Sequence, residues 1–269
     1  MNFEYFFIYT KLIEEQQLDI GFQLYSPGHL IWLGALLIMG IILSSWYKKQ
    51  EQQLQLKTRK IMAVGLLLSE ILKDGIIIAV GAPFIEYLPL HLCSFAIFGL
   101  LYDAFGKNRK LSTQMIAYAF FPGATAALLF CNWTEYPFLN YMSIHSFLFH
   151  GVIVFYFLML YRSGEIVPNY KGIWKTMKVI GAVAPFVFVF NLFTGQNYLF
   201  LNEASPGSPL VPIWNIFGTT FGLPGYLFGV ILLVIMVFHG LYGVYMVLEK
   251  VKEKRGKENE REESYQKEA

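Results

Sequence analysis

Long apolar stretches alternate with short polar segments along most of the chain. A helix that crosses a bilayer needs about 20 mainly apolar residues, because the hydrocarbon core is about 30 Å thick. The pattern predicts seven such helices, with the approximate bounds 28–46, 61–83, 89–105, 111–131, 143–161, 176–194 and 224–247. The predicted fold class is therefore all-α, a polytopic transmembrane helical bundle of about seven spans.

The remaining segments divide the chain into three parts. Residues 3–13 are rich in aromatic side chains but too short to span, and they predict an interfacial helix within an N-terminal segment of residues 1–27. Prolines and glycines interrupt residues 211–221, which predict a surface or re-entrant piece of the bundle of residues 28–249. Residues 250–269 mix Lys, Arg and Glu without an apolar period, and predict a charged cytoplasmic tail whose helix frays into disorder.

Composition also indicates a membrane protein. Of the 269 residues, 55% are hydrophobic and 15% are charged, whereas soluble domains carry about 25% charge. An aromatic share of 17% suits helices that face lipid and end at headgroups. The sequence contains no glycine-rich nucleotide loop, zinc cluster or basic nucleic-acid surface. It therefore predicts no cofactor, no bound metal and no nucleic-acid partner, and leaves membrane lipids as the expected partner.

Basic residues fall in alternate connections between the predicted spans. The second, fourth and sixth connections contain no Lys or Arg, whereas the first, third and fifth contain Lys48, Lys49, Lys57, Arg59, Lys60, Lys107, Arg109, Lys110, Arg162, Lys171 and Lys175. Basic connections stay on the cytoplasmic side, so the N-terminus is predicted outside and the C-terminus inside. The short linkers and compact basic loops favour a bacterial plasma membrane, and the sequence leaves the oligomeric state open.

Several ionisable side chains lie within the predicted spans, where each is a functional candidate unless a structural partner explains it. Glu70, Lys73 and Asp74 share one face of the second span, and either form an internal ion pair or take part in chemistry. A helical rise of about 1.5 Å per residue brings polar groups of several spans to one level near the outer face. These groups are His29, Asp74, His91, Cys93, His145, His150, Asn191 and Thr194.

Cys93 is the candidate nucleophile of this outer level. Pro89 suits the first position of a helix, which would place the thiol at a positive helix end that favours the thiolate. Two other readings remain open, namely a cysteine that only fills the core and a disulfide with Cys131. The helical rise gives a height difference of about 9 Å between the two cysteines, which exceeds disulfide reach for straight helices.

The predicted base for Cys93 is a histidine from another span. His91 lies two residues before Cys93 and would point to the opposite side of a regular helix, so it is assigned a supporting role. His150 has the matching depth and is the predicted base, while His145 points elsewhere. Glu70 or Asp74 would orient a histidine, as a carboxylate does in a catalytic triad.

These residues carry a resemblance to a known family. The stretch Leu88-Pro89-Leu90-His91-Leu92-Cys93, the later pair His145 and His150, and the loop Gly195-Gln196-Asn197-Tyr198-Leu199-Phe200-Leu201 resemble the YwaF family of bacterial membrane proteins. That family is similar to a eukaryotic branch regarded as cysteine-dependent phospholipid acyltransferases. The resemblance implies that Cys93 carries the acyl group and that His150 is its partner base.

The expected function is therefore acyl transfer on membrane lipids near the outer face, through a thioester on Cys93. Asn191, Asn197, Tyr198 or a backbone amide at the helix start would bind the substrate oxyanion. A transporter that uses the acidic and histidine side chains as an ion or proton relay is one alternative. A non-catalytic scaffold or sensor, in which the histidines join helices, is the other.

Overall fold

The protein is described by a computed structural model that covers the backbone of residues 5–268 and the side chains of residues 5–254 and 258. The α-helices of this part are α1 (Thr10–Glu15), α2 (Pro27–Lys48), α3 (Gln52–Ala79), α4 (Leu92–Phe105), α5 (Lys110–Met115), α6 (Phe121–Leu129), α7 (Tyr141–Ser163), α8 (Tyr170–Thr194), α9 (Leu210–Ile213) and α10 (Thr219–Glu268). π-Helical turns at Ile116–Phe120 and Trp214–Gly218 join α5 to α6 and α9 to α10. Residues 5–268 contain no β-strand, which confirms the all-α prediction.

Some of these helices have the length and composition of membrane spans. Four helical segments are long and apolar enough to cross a bilayer, and these are Pro27–Lys48, Tyr141–Ser163, Tyr170–Thr194 and Leu210–Lys254. Helix α4 is apolar but has 14 residues. Charged residues lie near both ends of α3, and the π-helical turn separates α5 from α6. The chain is thus a multi-pass helical membrane protein, while seven spans and the orientation of the termini stay predictions.

Local sequence signals set the limits of the two long helices that follow α6. The side-chain oxygen of Asn140 accepts the Met142 amide at 2.7 Å and begins α7. Asn169 accepts the Gly172 amide at 3.0 Å in the same way and begins α8. Both helices end at a glycine, Gly164 or Gly195, with φ of 82° and 72°. A residue without Cβ adopts this left-handed conformation with little strain, so both stops are encoded locally.

Helix α7 lies at the centre of the bundle. It packs against α2, α3 and α6, and it also contacts α4. Close approach to α2 is possible because Gly40 faces Phe155 and Gly151 faces Leu36, where an added Cβ would lie 3.1 Å and 2.8 Å from the neighbouring side chain. A central α7 brings its two histidines to the interior, next to helices α3 and α4.

One predicted helix start is wrong, and another helix is longer than the span predicted within it. Helix α3 begins at Gln52, nine residues before the apolar stretch predicted to span from about residue 61, because the polar turns before that stretch are also helical. Helix α4 begins at Leu92, with His91 in an extended conformation at its N-cap. Pro89 therefore does not occupy the first helical position, since the Leu90 amide turns back to the Leu88 carbonyl at 2.8 Å.

The N-terminal segment covers one end of the bundle. Its helix α1 begins at Thr10, later than the predicted interfacial helix of residues 3–13, of which residues 3 and 4 lie outside the described part. The buried side chains of Ile8 and Ile13 pack in one apolar cluster with residues from α2, α6 and α7. The N-terminal segment therefore packs on the bundle through apolar contacts in addition to its covalent connection to α2.

Residues 210–221 form one arm of a helical hairpin. Gly222, with φ of 65° and ψ of −155°, interrupts the helix and reverses the chain. The second arm packs on the first, since the Trp214 and Tyr226 rings lie 5.2 Å apart and a Cβ on Gly229 would meet Ile213 at 2.5 Å. The backbone of α10 then continues to Glu268, and Ala269 of the predicted tail lies outside the described residues. The division of the chain into three parts stays a prediction.

Candidate functional site

A buried ion triad lies in α3. Lys73 Nζ is 2.7 Å from Glu70 Oε1 and 3.1 Å from Asp74 Oδ1, and it donates to the Tyr87 carbonyl at 3.0 Å. Glu70 and Lys73 are both buried. One ammonium therefore serves two carboxylates, which is the internal ion pair that the sequence left open. Because two carboxylates share a single ammonium group, one carboxylate remains available to a further cationic or donor group.

The side chain of His145 lies beside this triad. Its Nε2 lies 3.9 Å from Glu70 Oε2 and, being buried, has no closer hydrogen-bond partner in the described residues. The ring also faces Phe149, at a centroid distance of 5.4 Å. The carboxylate expected to orient a histidine thus lies beside His145, while the contacts of His150 are different.

His150 is held by its own helix and by an indole ring. Its Nδ1 lies 2.7 Å from the Ser146 carbonyl oxygen, and its ring stacks on Trp133 at 5.1 Å with an interplanar angle of 15°. A carbonyl oxygen only accepts, so Nδ1 must carry the proton. The neutral ring then presents an unprotonated Nε2, which is the form that a general base requires.

Cys93 is the second residue of α4 and is half-buried. The first free amides of a helix have no intrahelical acceptor. Here the Ser94 and Phe95 amides both donate to the His91 carbonyl, and in the described part of the chain the Leu92 and Cys93 amides have no acceptor. Cys93 and the residue before it therefore carry two N–H groups without an acceptor. No hydrogen bond joins the Cys93 sulfur to a histidine within residues 5–254.

His91 lies between Cys93 and the loop that follows α8. Its ring contacts Tyr198 and Phe200 at centroid distances of 5.1 and 5.2 Å. It is also within electrostatic range of His150 and Lys73. The start of α4, the ion triad and the α7 histidines consequently share one region of the bundle.

The second cysteine and His29 form a separate, structural pair. Both cysteines are free thiols, which excludes the disulfide reading. Cys131 Sγ lies 3.9 Å from His29 Nε2, which donates to the Leu128 carbonyl at 2.8 Å. The Tyr25 amide donates to the other ring nitrogen at 2.9 Å. Since both nitrogens of His29 are occupied, this buried side chain ties α2 to the end of α6.

The three predicted substrate-binding residues shape the loop after α8. Asn191 is fully buried and bonds the Tyr198 amide at 3.0 Å and its carbonyl at 2.9 Å. Asn197 accepts the Asn202 amide at 3.0 Å and donates to the Glu203 carbonyl at 3.1 Å. The polar groups of both asparagines are therefore used within the fold.

Tyr198 links this loop to the segment that precedes α4. Its hydroxyl accepts the Leu88 amide at 3.1 Å and donates to the Ile85 carbonyl. Burial raises the pKa of Tyr198 to about 12, so the hydroxyl keeps the proton that it donates. The start of α4, where Cys93 lies, is thereby held against the loop after α8.

An arginine–carboxylate network at the basic end of the bundle was missed by the sequence reading. It consists of Arg59, Asp103, Arg109 and Glu165, which lie within 3.4 Å of their opposite charges. Asp103 is almost completely buried. The signal was present, because Asp103 is the one acidic residue of the predicted third span and Glu165 is the one acidic residue of the fifth connection, which is basic. A single acid in an apolar or basic segment indicates a partner from another segment.

Glu165 makes the stability of this network depend on pH. Burial opposes ionisation, but the Tyr47 hydroxyl and the guanidinium groups of Arg59 and Arg109 together hold the pKa of Glu165 below its ordinary value of 4.5. A depressed carboxyl pKa adds stability above the ordinary value, and that contribution is lost as the pH falls through the folded-state pKa. We expect Glu165→Gln to lower the melting temperature at pH 7 and to make progressively less difference below pH ~4.5.

This expectation is checked by melting the two purified proteins side by side between pH 7 and pH 3. A difference in melting temperature that stays constant over the whole range would contradict it.

Comparison with known proteins places the chain in a family. The profile of the TMEM164 family matches residues 24–242, which include all seven predicted spans except the end of the last. No curated protein and no solved structure matches the chain. The matched part contains the α4 start with Cys93, the α3 triad and the α7 histidines. With most of its length matched, the chain belongs to the TMEM164 family of membrane proteins.

Proposed function

We propose that this protein is a membrane-embedded acyltransferase that acts on membrane lipids, with Cys93 as nucleophile and His150 as base. One observation carries the proposal: the Cys93 thiol lies at a helix start beside two backbone amides that have no acceptor. An acyl-transfer site needs a nucleophile next to donors that stabilise a developing oxyanion. The proposal includes the likeness to the YwaF family and a bacterial plasma membrane, with the site near the outer face.

The oxyanion would be held by the Leu92 and Cys93 amides. These N–H groups point out of the first turn of a helix of 14 residues, where the helix dipole also favours negative charge. The loop after α8 supports this arrangement. Hydrogen bonds of Asn191 and Asn197 fix the conformation of the loop, and the bond of Tyr198 to the Leu88 amide holds the loop against the start of α4. We therefore assign these three residues the position of the substrate wall rather than direct contact with the oxyanion.

The reaction would proceed in two balanced steps. Cys93 sulfur attacks the ester carbonyl carbon of a lipid while its proton passes to His150 Nε2, and the ester C–O bond then breaks as the leaving alcohol takes that proton. In the second step an acceptor hydroxyl attacks the thioester. Its proton passes to His150 and then to the departing Cys93 thiolate, which restores the enzyme.

His150 fits the role of base through its tautomer, since Nδ1 donates to the Ser146 carbonyl and Nε2 is left to accept a proton. Catalytic hydrogen bonds are often formed only in the substrate complex, so the lack of a direct bond to Cys93 is compatible with this role. Glu70 and His145, which lie next to each other, would stabilise the charge distribution of the same region. His91 would position the α4 start through its ring contacts with Tyr198 and Phe200.

The distribution of buried charge on α3 argues against a transporter whose relay runs along that helix. A relay requires polar groups at successive depths. On α3, Arg59 and Glu70 are separated by eleven residues, or about 16 Å at helical rise, and the buried residues between them are Ala63 and Leu66. Buried charge is therefore concentrated near the two ends of this helix. A polar relay along α3 would have to cross an apolar layer.

The test is detection of an acyl-cysteine. The full chain is reconstituted in liposomes containing phosphatidylcholine or phosphatidylethanolamine with alkyne-tagged acyl chains, and hydroxylamine-sensitive label is mapped by mass spectrometry. We expect label on Cys93 in the natural protein and in Cys131→Ala, and none in Cys93→Ala. Cys131→Ala is the matched control, because it removes the other free thiol.

Persistent thioester label in Cys93→Ala would overturn the assignment of the nucleophile. Absence of label from a folded natural protein with every donor would overturn the acyl-cysteine mechanism. If substitution of Cys93 were tolerated while substitution of the histidines unfolded the protein, the scaffold or sensor reading would replace it.

A further inference from the structure

An open cavity of about 450 Å³ lies at the basic end of the bundle, at the opposite end of α4 from Cys93. Its lining residues are Lys107, Asn108, Arg109, Lys110, Thr113 and Glu165. The cavity lies at the turn between α4 and α5 and beside the connection between α7 and α8. The acyl-transfer proposal makes no use of it.

The charges around this cavity do not balance. Asp103 and Glu165 are already shared by the guanidinium groups of Arg59 and Arg109, at 2.9–3.4 Å. The Glu165 carboxylate also accepts from Tyr47 and Ser163. Four cations, counting Lys107 and Lys110, thus face two carboxylates, which leaves two positive charges beside the opening.

The two lysines supply those charges. Lys107 and Lys110 are exposed, and within the described residues neither has a carboxylate within ion-pairing distance. The Asn108 side-chain oxygen accepts the Lys110 amide at 3.2 Å, which leaves its NH₂ group free to donate. The available groups are therefore hydrogen-bond donors. Such a lining suits an anion with several acceptor oxygens, above all a phosphate.

Apolar side chains adjoin the basic residues in the chain. Tyr102 and Phe105, in the last turn of α4, and Leu111, at the start of α5, are all exposed large hydrophobics. On a helical membrane protein such side chains face lipid acyl chains. Basic pockets between helices that adjoin such surface bind the headgroups of anionic lipids. A free phosphate would use the lysines but not the apolar flank.

From this combination we infer that the cavity at Lys107 and Lys110 binds the phosphate headgroup of an anionic phospholipid. The lipid phosphate lies between the two ammonium groups and the Asn108 amide, and its acyl chains follow the exposed side of α4. The Glu165 carboxylate at the cavity wall does not oppose this, because the Arg59 and Arg109 guanidinium groups offset its charge and the Tyr47 and Ser163 hydroxyls donate to it. This site is independent of Cys93, so it survives or fails separately from the proposed function.

The test compares two lysine pairs of equal charge. The full chain in detergent micelles is titrated with phosphatidylglycerol, phosphatidylcholine or inorganic phosphate, and lipid retention is measured by native mass spectrometry. We expect saturable retention of phosphatidylglycerol by the natural protein and about tenfold weaker retention by Lys107→Gln/Lys110→Gln. The matched control, Lys48→Gln/Lys49→Gln, removes two exposed charges from a different basic connection and should retain the lipid like the natural protein.

Three results would overturn the inference. Equal weakening in both double variants would mean that overall charge, and not the cavity, attracts the lipid. Equal retention of phosphatidylcholine would mean that the phosphatidylglycerol signal reflects the acyl chains. Inorganic phosphate that displaces the lipid at an equal concentration would identify a site for the free anion.

Discussion

Replacing His150 by phenylalanine is expected to slow acylation of Cys93 by about 10²–10⁴-fold, the usual contribution of a general base. The substitution removes Nε2, which is the free nitrogen because Nδ1 donates to the Ser146 carbonyl at 2.7 Å. It keeps an aromatic ring that can stack on Trp133, as the imidazole does at 5.1 Å. The loss should therefore come from chemistry and not from packing.

The rate is measured as the time course of hydroxylamine-sensitive label on Cys93, with a tagged phospholipid in liposomes. His239→Phe is the matched control, because His239 makes the same bond to the carbonyl four residues earlier, from Nδ1 to Ile235 at 2.8 Å. In His239→Phe, Cys93 should be acylated at the wild-type rate. If His150→Phe also reacted at the natural rate, the base would have to be His91 or His145.

Replacing Asp103 by asparagine is expected to cost about 3–5 kcal/mol of stability, because it leaves buried guanidinium charge without its partner. Asp103 accepts from Arg109 at 2.9 and 3.1 Å, from Arg59 at 3.4 Å and from the Tyr156 hydroxyl at 2.8 Å. Asparagine keeps the size of the side chain but offers one neutral oxygen. Glu165 would then face both arginines alone.

The measurement is thermal melting of the purified protein in detergent, where the expected loss corresponds to a decrease on the order of 10 °C. Asp74→Asn is the control, since it also neutralises a carboxylate in a helix, yet Lys73 keeps Glu70 at 2.7 Å. A natural melting temperature for Asp103→Asn would show that the network does not hold the helices together.

The sequence determined the class of fold and much of the candidate chemistry. Apolar runs, sparse charge and alternating basic connections predict a helical membrane protein, because burial in lipid acts on each segment separately. The triad Glu70, Lys73 and Asp74 could also be predicted from the sequence, because residues three and four apart share a helix face. Cys93 and His150 were singled out by residue type and depth, and their roles stay proposals.

Tertiary structure decided which groups are free and which are already used. The bonds that occupy Asn191, Asn197 and Tyr198 depend on how a loop folds back. One of the two hydrogen-bond partners of His29, the Leu128 carbonyl, lies 99 residues away in the chain. Helix α4 begins at Leu92 and not at Pro89, where the sequence predicted its start. The two amides without an acceptor are therefore those of Leu92 and Cys93.

The arginine–carboxylate network shows the same limit of local pattern. Arg59 and Asp103 are 44 residues apart, and no local pattern relates the basic residue of the first connection to the acid in the third predicted span. A helix sequence specifies which face is polar through its period, but the partner of a buried charge is set by packing between helices. The sequence therefore determined where the polar groups lie along each helix, and the three-dimensional packing decided which of them meet, because their contacts join residues that no local period relates.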